Sequence, residues 1–286
     1  MAVIRASRSG EIVRVALLEG DALREFWLWN RARPDGVGDF YTGRVTAVLP
    51  ALAGCFVALG GEQSGFLPDS AGGRGLTEGS YLTVQVTRAP QGDKGPRLAR
   101  SEDAPGASPG LIARGPGPLL ELAARFPTAP VLADDYALMA EVKQPLDGRL
   151  RYDAKAFDAV LEDEVAGLAA PITALPGGAK LHITPAPAAT LLDIDAASGS
   201  ATAPLALNAA ILPELCRQIV LRNLSGGILI DFAGMKAAAR RRLEAPLRHA
   251  LASDPLRPEF LGFSHLGFAE LTRRRIRPPL HEVLSP

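Results

Sequence analysis

Two cysteines, Cys55 and Cys216, are all that 286 residues contain, and no Cys-x-x-Cys occurs. A disulfide scaffold and a four-ligand zinc site are therefore unsupported, and a reducing compartment fits. Excess charge is missing as well. Lys and Arg number 31, Asp and Glu number 31, and the formal net charge is zero. No overall field announces a nucleic-acid partner, although local patches can steer one. No apolar segment follows the N-terminal Arg5, Arg8 and Glu11, so a secretory signal is not expected. The longest uncharged apolar stretch, 45–60, is broken by Pro50 and Gly54 and is too short to span a bilayer. These absences predict a cytoplasmic protein that does not engage a membrane. No Walker loop, G-x-S-x-G elbow or dinucleotide fingerprint is present.

What remains is an ordinary globular balance, 47% hydrophobic and 22% charged, with room for two domains or one large one. Alternation predicts strands over 11–18 and 23–29, then short strands over 40–49, 54–59, 65–67 and 81–87 between Gly-rich connectors. That spacing argues for a small barrel. Residues 93–117, rich in Pro, Gly and Ser, have the composition of a linker or exposed loop. Beyond them, helices over 117–125, 154–168, 207–222 and 236–252 alternate with strands over 137–142, 179–184, 189–195 and 227–232. Such alternation argues for an α/β layer.

Two of these apolar strands end in aspartate, one at Asp193 and Asp195 and the other at Asp231. Ligands of α/β sheets sit beyond the carboxyl ends of strands, and two carboxylates there could hold a hard cation such as Mg²⁺. Each aspartate alone reads first as a cap on the turn that follows, and only the two together, each on a nearly wholly apolar strand, bring the metal reading level with it. In the barrel region Phe40, Tyr41, Phe56 and Phe66 stand among Arg44, Arg88, Lys94 and Arg97. Aromatics for stacking and cations for phosphates are the recipe for single-stranded nucleic acid. Phe56, within the apolar 54–59 run, reads instead as barrel core, and Phe66 is open to either role. Two basic runs, Arg240 to Arg242 and Arg273 to Arg275 with Arg277, are either solvated faces or phosphate-tracking surfaces. The four histidines lack metal-ligand spacing and read as structural.

These residues resemble the ribonuclease E/G family. Gly38-Asp39-Phe40-Tyr41-Thr42-Gly43-Arg44-Val45-Thr46, Cys55-Phe56-Val57 and Ser64-Gly65-Phe66-Leu67-Pro68 are similar to its RNA-binding barrel. Residues 84–88 and 93–98 continue that likeness. Asp193-Ile194-Asp195-Ala196-Ala197-Ser198-Gly199 resembles the family's A-I-D-x-N-S-G strand, and Ile230-Asp231-Phe232 with Met235 resembles I-D-F-x-D-M. Between them Asn208, Glu214, Arg217, Gln218, Arg222 and Asn223 are similar to its helix and turn. Leu266-Gly267 with Glu270 to Arg273 resembles L-G-L-x-E-M-T-R.

The resemblance implies an α/β (α+β) protein. An OB-fold barrel would be inserted in a ribonuclease H-like subdomain and followed by a DNase I-like α/β catalytic subdomain. The expected division is 1–34 and 118–178 for the first subdomain, 35–100 for the barrel, 101–117 for a linker or sensor remnant, and 179–286 for the last. It implies Asp195 and Asp231 as catalytic carboxylates on Mg²⁺ or Mn²⁺, without zinc. Phe56, Phe66, Arg88 and Lys94 would hold RNA, and Arg114 would match the arginine that reads a 5′-monophosphate. The implied activity is metal-dependent endoribonuclease cleavage of single-stranded RNA. The alternative is a catalytically degenerate RNA-binding member. Three departures stand out: Ala197 replaces the family's Asn, Gly234 its second Asp, and Gly115 the Thr beside the sensor arginine. With no zinc-binding cysteine pair, a zinc-linked tetramer is not expected, and a homodimer is left open.

Overall fold

Three N-terminal strands build the first sheet: β1 (Ala2–Ser9), β2 (Ile12–Glu19) and β3 (Ala22–Asn30). They form an antiparallel meander that places Ile4, Ala6, Val13 and Val15 in a core. β1 was not anticipated from the sequence, because its short apolar residues are interleaved with Arg and Ser. The computed structural model describes residues 1–146, 148–196 and 203–284.

The barrel follows: β4 (Phe40–Leu49), β5 (Gly54–Gly60), β6 (Gln63–Pro68), β7 (Tyr81–Arg88) and β8 (Arg97–Arg100), with β9 (Gly110–Ala113) added alongside β4. The pairings run β4–β5–β6–β8–β7 and back to β4, with β6 and β8 parallel. A closed five-stranded barrel in that order is an OB-fold. Val45, Cys55, Val57, Leu67, Val84 and Leu98 fill it. β8 and β9 both lie in the 93–117 stretch that composition marked as linker. Their backbones find partners on β7 and β4, which outweighs their Pro/Gly-rich flanks.

The chain then returns to the first sheet through α1 (Gly117–Arg125), β10 (Val131–Ala133), α2 (Tyr136–Val142), β11 (Leu150–Tyr152) and α3 (Ala159–Gly167). The strand order β3-β2-β1-β10-β11, with β10 and β11 parallel to β1, is the ribonuclease H-like arrangement. Residues 137–142 are helical, not a strand. Ala, Leu, Met and Glu favour helix there, and the Asp135 carboxylate caps it by accepting from Leu138 N at 2.6 Å. The helix expected over 154–168 begins only at Ala159, because Asp158 caps it by accepting from Leu161 N at 3.0 Å.

That cap gives a testable pH dependence. The Leu161 amide first, and then Arg5 at 2.6 Å, hold the Asp158 carboxyl below its ordinary value. The folded state therefore prefers the ionised form. Its contribution is present above the unfolded pKa of about 3.9 and is lost as pH falls through the lower folded value. Asp158→Ala is expected to cost about 1 kcal/mol at pH 7. Urea midpoints of parent and variant should converge as the pH is taken below the unfolded value and through the lower folded one; a constant gap would refute the charged cap.

The second sheet is built from β12 (Ile172–Ala174), β13 (Lys180–Pro185), β14 (Ala189–Asp195), α4 (Pro204–Leu221), β15 (Gly226–Asp231), α5 (Ala237–Leu251), β16 (Glu259–Phe263), β17 (Ala269–Arg273) and α6 (Leu280–Leu284). Its order is β12-β13-β14-β15-β17-β16, and β14 with β15 is its parallel pair. Helices α4 and α5 cover one face, packing on Leu181, Leu192, Ile194, Ile228, Ile230 and Leu271. By length and composition alone α4 is apolar enough to cross a membrane; here half of it is buried within the protein. Burial pushes the Cys216 thiol, on α4, up to about 12, so this cysteine is packing material and no nucleophile.

Candidate functional site

Strand parity decides what the uncovered face of the second sheet displays. Leu192, Ile194 and Ile230 point into the core, so Asp193, Asp195 and Asp231 point outward, and all three are exposed. The parallel register sets Asp193 directly beside Asp231, at the roughly 4.8 Å spacing of neighbouring strands. Asp195 lies two residues further along the same face, opposite Lys180 on β13. His182 stands opposite Asp193, which extends the row to His182, Asp193 and Asp231. The sequence noted Asp193 only as a strand-end aspartate and His182 only as a structural histidine, and the resemblance assigned the metal to Asp195 and Asp231. The missing information was register: alternation puts residues on a face, but only the pairing puts them side by side.

Past Asp231 the backbone is fixed by the buried side chains of Phe232 and Met235. Asn208, fully buried on α4, donates from Nδ2 to the carbonyl oxygens of Ala233 at 2.9 Å and Pro204 at 2.7 Å. Gly234 then turns with φ +63°. Ala197, with Ser198 and Gly199, lies outside the described residues. Among the described residues no three His, Cys, Asp or Glu side chains are gathered as a metal cluster.

The barrel carries the other candidates. On β5, Cys55, Val57 and Leu59 face inward, so Phe56 faces out, 38% exposed. The reading of Phe56 as core from its apolar neighbours is thereby overturned, since alternation with Cys55 and Val57 forces it outward. Phe66 sits directly across on β6, and the two rings meet edge to face at 5.6 Å. Lys94 projects from a tight hairpin closed by paired hydrogen bonds with Gln91. The hairpin lies against β6 only because residue 95 is glycine: a Cβ there would collide with the Ser64 carbonyl oxygen. Phe56, Lys94 and Arg114 line one cavity of about 780 Å³. Arg114 is half in solvent and half engaged: Nη1 donates to Asp39 Oδ2 at 2.6 Å, and the neighbouring Gly115 amide donates to Asp39 Oδ1 at 2.7 Å. Arg88 lies apart from this cavity.

The sequence model of the ribonuclease E/G family matches residues 137–276. Ribonuclease G of Escherichia coli (strain K12) is 26% identical over 389 residues, covering 95% of this chain and 79% of that one. Ribonuclease E of Nostoc sp. (strain PCC 7120) is 36% identical over 119 residues, 39% of this chain and 17% of its own. The chain belongs to the ribonuclease E/G family. The alignment with ribonuclease G is longer than the 286 residues present, so this member is internally shorter by more than a hundred positions. The solution structure of GSP13 from Bacillus subtilis covers 31% of this chain and 69% of that one at 28% identity, with a TM-score of 0.20, and adds nothing to the barrel's own strand order.

Much of the ribonuclease E/G motif turns out to be architecture. Arg217 on α4 reaches Glu214, Glu164 and the Leu23 carbonyl, and so ties the two α/β bodies together. Arg222, buried, donates to the carbonyls of Leu168 and Ala170 at the end of α3. Arg273 pairs with Asp254 at 2.6 Å with both side chains 2% exposed. Arg277 pairs with Asp35 and Glu121. The second basic run is therefore no continuous phosphate surface; two of its four arginines are locked inside.

Proposed function

We propose that this ribonuclease E/G member cuts single-stranded RNA internally by metal-assisted hydrolysis on the open face of the second sheet. The observation that carries this reading is the side-by-side placement of Asp193 and Asp231, with Asp195 beyond, at the carboxyl ends of two parallel strands. A donor set of exposed carboxylate oxygens suits a hard cation such as Mg²⁺, which binds through one or two carboxylates and keeps its waters. It needs no preformed cluster of three. When bound there, the ion would polarise the phosphodiester and lower the pKa of water. The protein's part is to hold the carboxylates in register and to lay the strand across them. Phe56 and Phe66 offer a stacking platform, Lys94 and Arg88 meet phosphates, and Arg114 adds a cation to the cavity rim, its charge partly answered by Asp39. Work on RNA in the cytoplasm goes with this reading.

Cleavage of an end-labelled, AU-rich single-stranded oligonucleotide with Mg²⁺ or Mn²⁺, against an EDTA control, tests it. The expected products carry 5′-phosphate and 3′-hydroxyl ends. A second reading, RNA binding without cleavage, is favoured by Gly234 at the family's Asp position. RNA that is bound but stays whole with either metal would establish that reading instead. Phe56→Ala is expected to raise the Kd for RNA in EDTA about tenfold, within the 1–3 kcal/mol that stacking one base contributes. An unchanged Kd would remove the barrel platform from the interface.

A further inference from the structure

Three arginines converge where the barrel meets the second sheet, and none of them has a carboxylate partner among the described residues. Arg88 ends β7 and lies directly across from Arg97 on β8, itself paired in register with Phe66 of the stacking platform. The next residue, Ala89, donates its amide to the Ile276 carbonyl at 2.8 Å, which draws the end of β7 against the segment carrying Arg275. The Arg275 guanidinium occupies the space a Cβ at Gly226 would fill, so it lies flat on the first residue of β15. All three side chains are part-buried, and the Arg88 Nε is buried with no hydrogen-bond partner. Like charges opposed across a strand pair are destabilising, so the cluster costs the folded protein something that an anion would return.

We propose that Arg88, Arg97 and Arg275 form a phosphate-binding site at this seam, which takes a phosphate group of the RNA. The inference rests on the RNA reading above and adds two residues, Arg97 and Arg275, and a place. Guanidinium forks match phosphate oxygens bidentately, and three of them around one point suit a doubly or singly charged phosphate better than any carboxylate already present. Burial first, and then the charges of Arg97 and Arg275, push the Arg88 guanidinium below its ordinary value. The site is remote from the chemistry. Gly226 and Asp231 are the two ends of β15, about 17 Å apart at strand rise. It therefore grips RNA that flanks the cleavage point. The bound phosphate is either a backbone phosphodiester or the terminal 5′-monophosphate.

The test measures RNA binding in EDTA by fluorescence anisotropy across a salt series, for the parent, Arg97→Gln, Arg275→Gln and a control, Arg151→Gln, whose exposed side chain lies on β11 in the first sheet. Both seam variants should bind about tenfold more weakly and lower the salt slope by about one, while the control does neither. Under cleavage conditions the loss should fall on KM with kcat kept. Oligonucleotides with 5′-phosphate and 5′-hydroxyl ends separate the sources: equal losses assign a backbone phosphate, and a loss confined to the phosphorylated oligonucleotide assigns the terminal one. Inorganic phosphate supplies a readout that needs no RNA. It should raise the Tm of the parent more than that of the Arg97→Gln, Arg275→Gln double variant, which also shows that the variant folds. Seam variants that bind RNA like the control, or equal Tm shifts with phosphate, would overturn the site. A parent that binds no RNA yet keeps its phosphate-specific shift would overturn the RNA assignment while leaving the anion site standing.

Discussion

Asp193→Asn and Asp231→Asn are each expected to lower the rate of RNA cleavage by at least about 100-fold, and Asp195→Asn by less. Loss of a residue that merely orients a metal ligand costs 10- to 100-fold, so loss of a direct oxygen donor sets a higher floor. The order among the three follows from register. Asp193 and Asp231 are neighbours on adjacent parallel strands, whereas Asp195 is displaced by two residues, about 6.6 Å along β14, toward Lys180. One cation can meet the first pair at its ordinary oxygen distances without moving the backbone. Asparagine keeps the size and removes the charge, and the exposed face has no packing to lose. A fall in kcat without a change in Tm is therefore the expected signature, read by single-turnover cleavage with Mg²⁺. Should Asp195→Asn be silent and Asp193→Asn inactive, the family alignment of this strand shifts by two residues. If Asp231→Asn cuts as fast as the parent, the sheet face is not the catalytic surface.

That two-residue question shows where the sequence could be read and where it could not. The strands carrying the aspartates were legible because each is a nearly wholly apolar run that ends in a charge, as in Leu229-Ile230-Asp231. The barrel was legible from its Gly-punctuated short strands. Register was not legible, because it depends on which backbone amides pair, and nothing in residues 189–195 alone names Gly227 as the partner of Ala189. Phe56 was misjudged for a related reason. Composition sees an aromatic within an apolar run, whereas the barrel's two-residue period assigns the inside to Cys55 and Val57 and leaves the ring outside. The helix at 136–142 was hidden by its shortness: seven residues hold too few periods to distinguish it from a strand, and the deciding feature was the Asp135 cap. The three arginines of the seam were each visible, but Arg88 and Arg97 are separated from Arg275 by well over half of the chain.

Arg273→Met is expected to be the most destabilising of the substitutions considered, by about 3–5 kcal/mol, as when one partner of a buried ion pair is removed. Arg273 donates to both oxygens of Asp254, at 2.6 and 3.2 Å, to Asn223 Oδ1 at 2.9 Å and to the Leu224 carbonyl at 3.0 Å, all in the interior. Methionine fills the volume and satisfies none of these. It leaves the Asp254 carboxylate buried without its counter-charge and two acceptors without a donor. Asn223, which holds the end of α4 at φ +47° and donates to the carbonyls of Arg277 and Pro278, loses its anchor at the same time. Combining Arg273→Met with Asp254→Leu should recover part of the loss, because replacing both members of a buried pair removes the uncompensated charge. Urea midpoints of the parent, the single variant and the double variant read this directly. The effect on cleavage should follow the fold alone. Arg273 pairs across from Gly226, at the end of β15 opposite to Asp231, so well below its transition the single variant should keep the parent's kcat. An unchanged midpoint together with lost cleavage would move this arginine from the frame of the sheet into the chemistry.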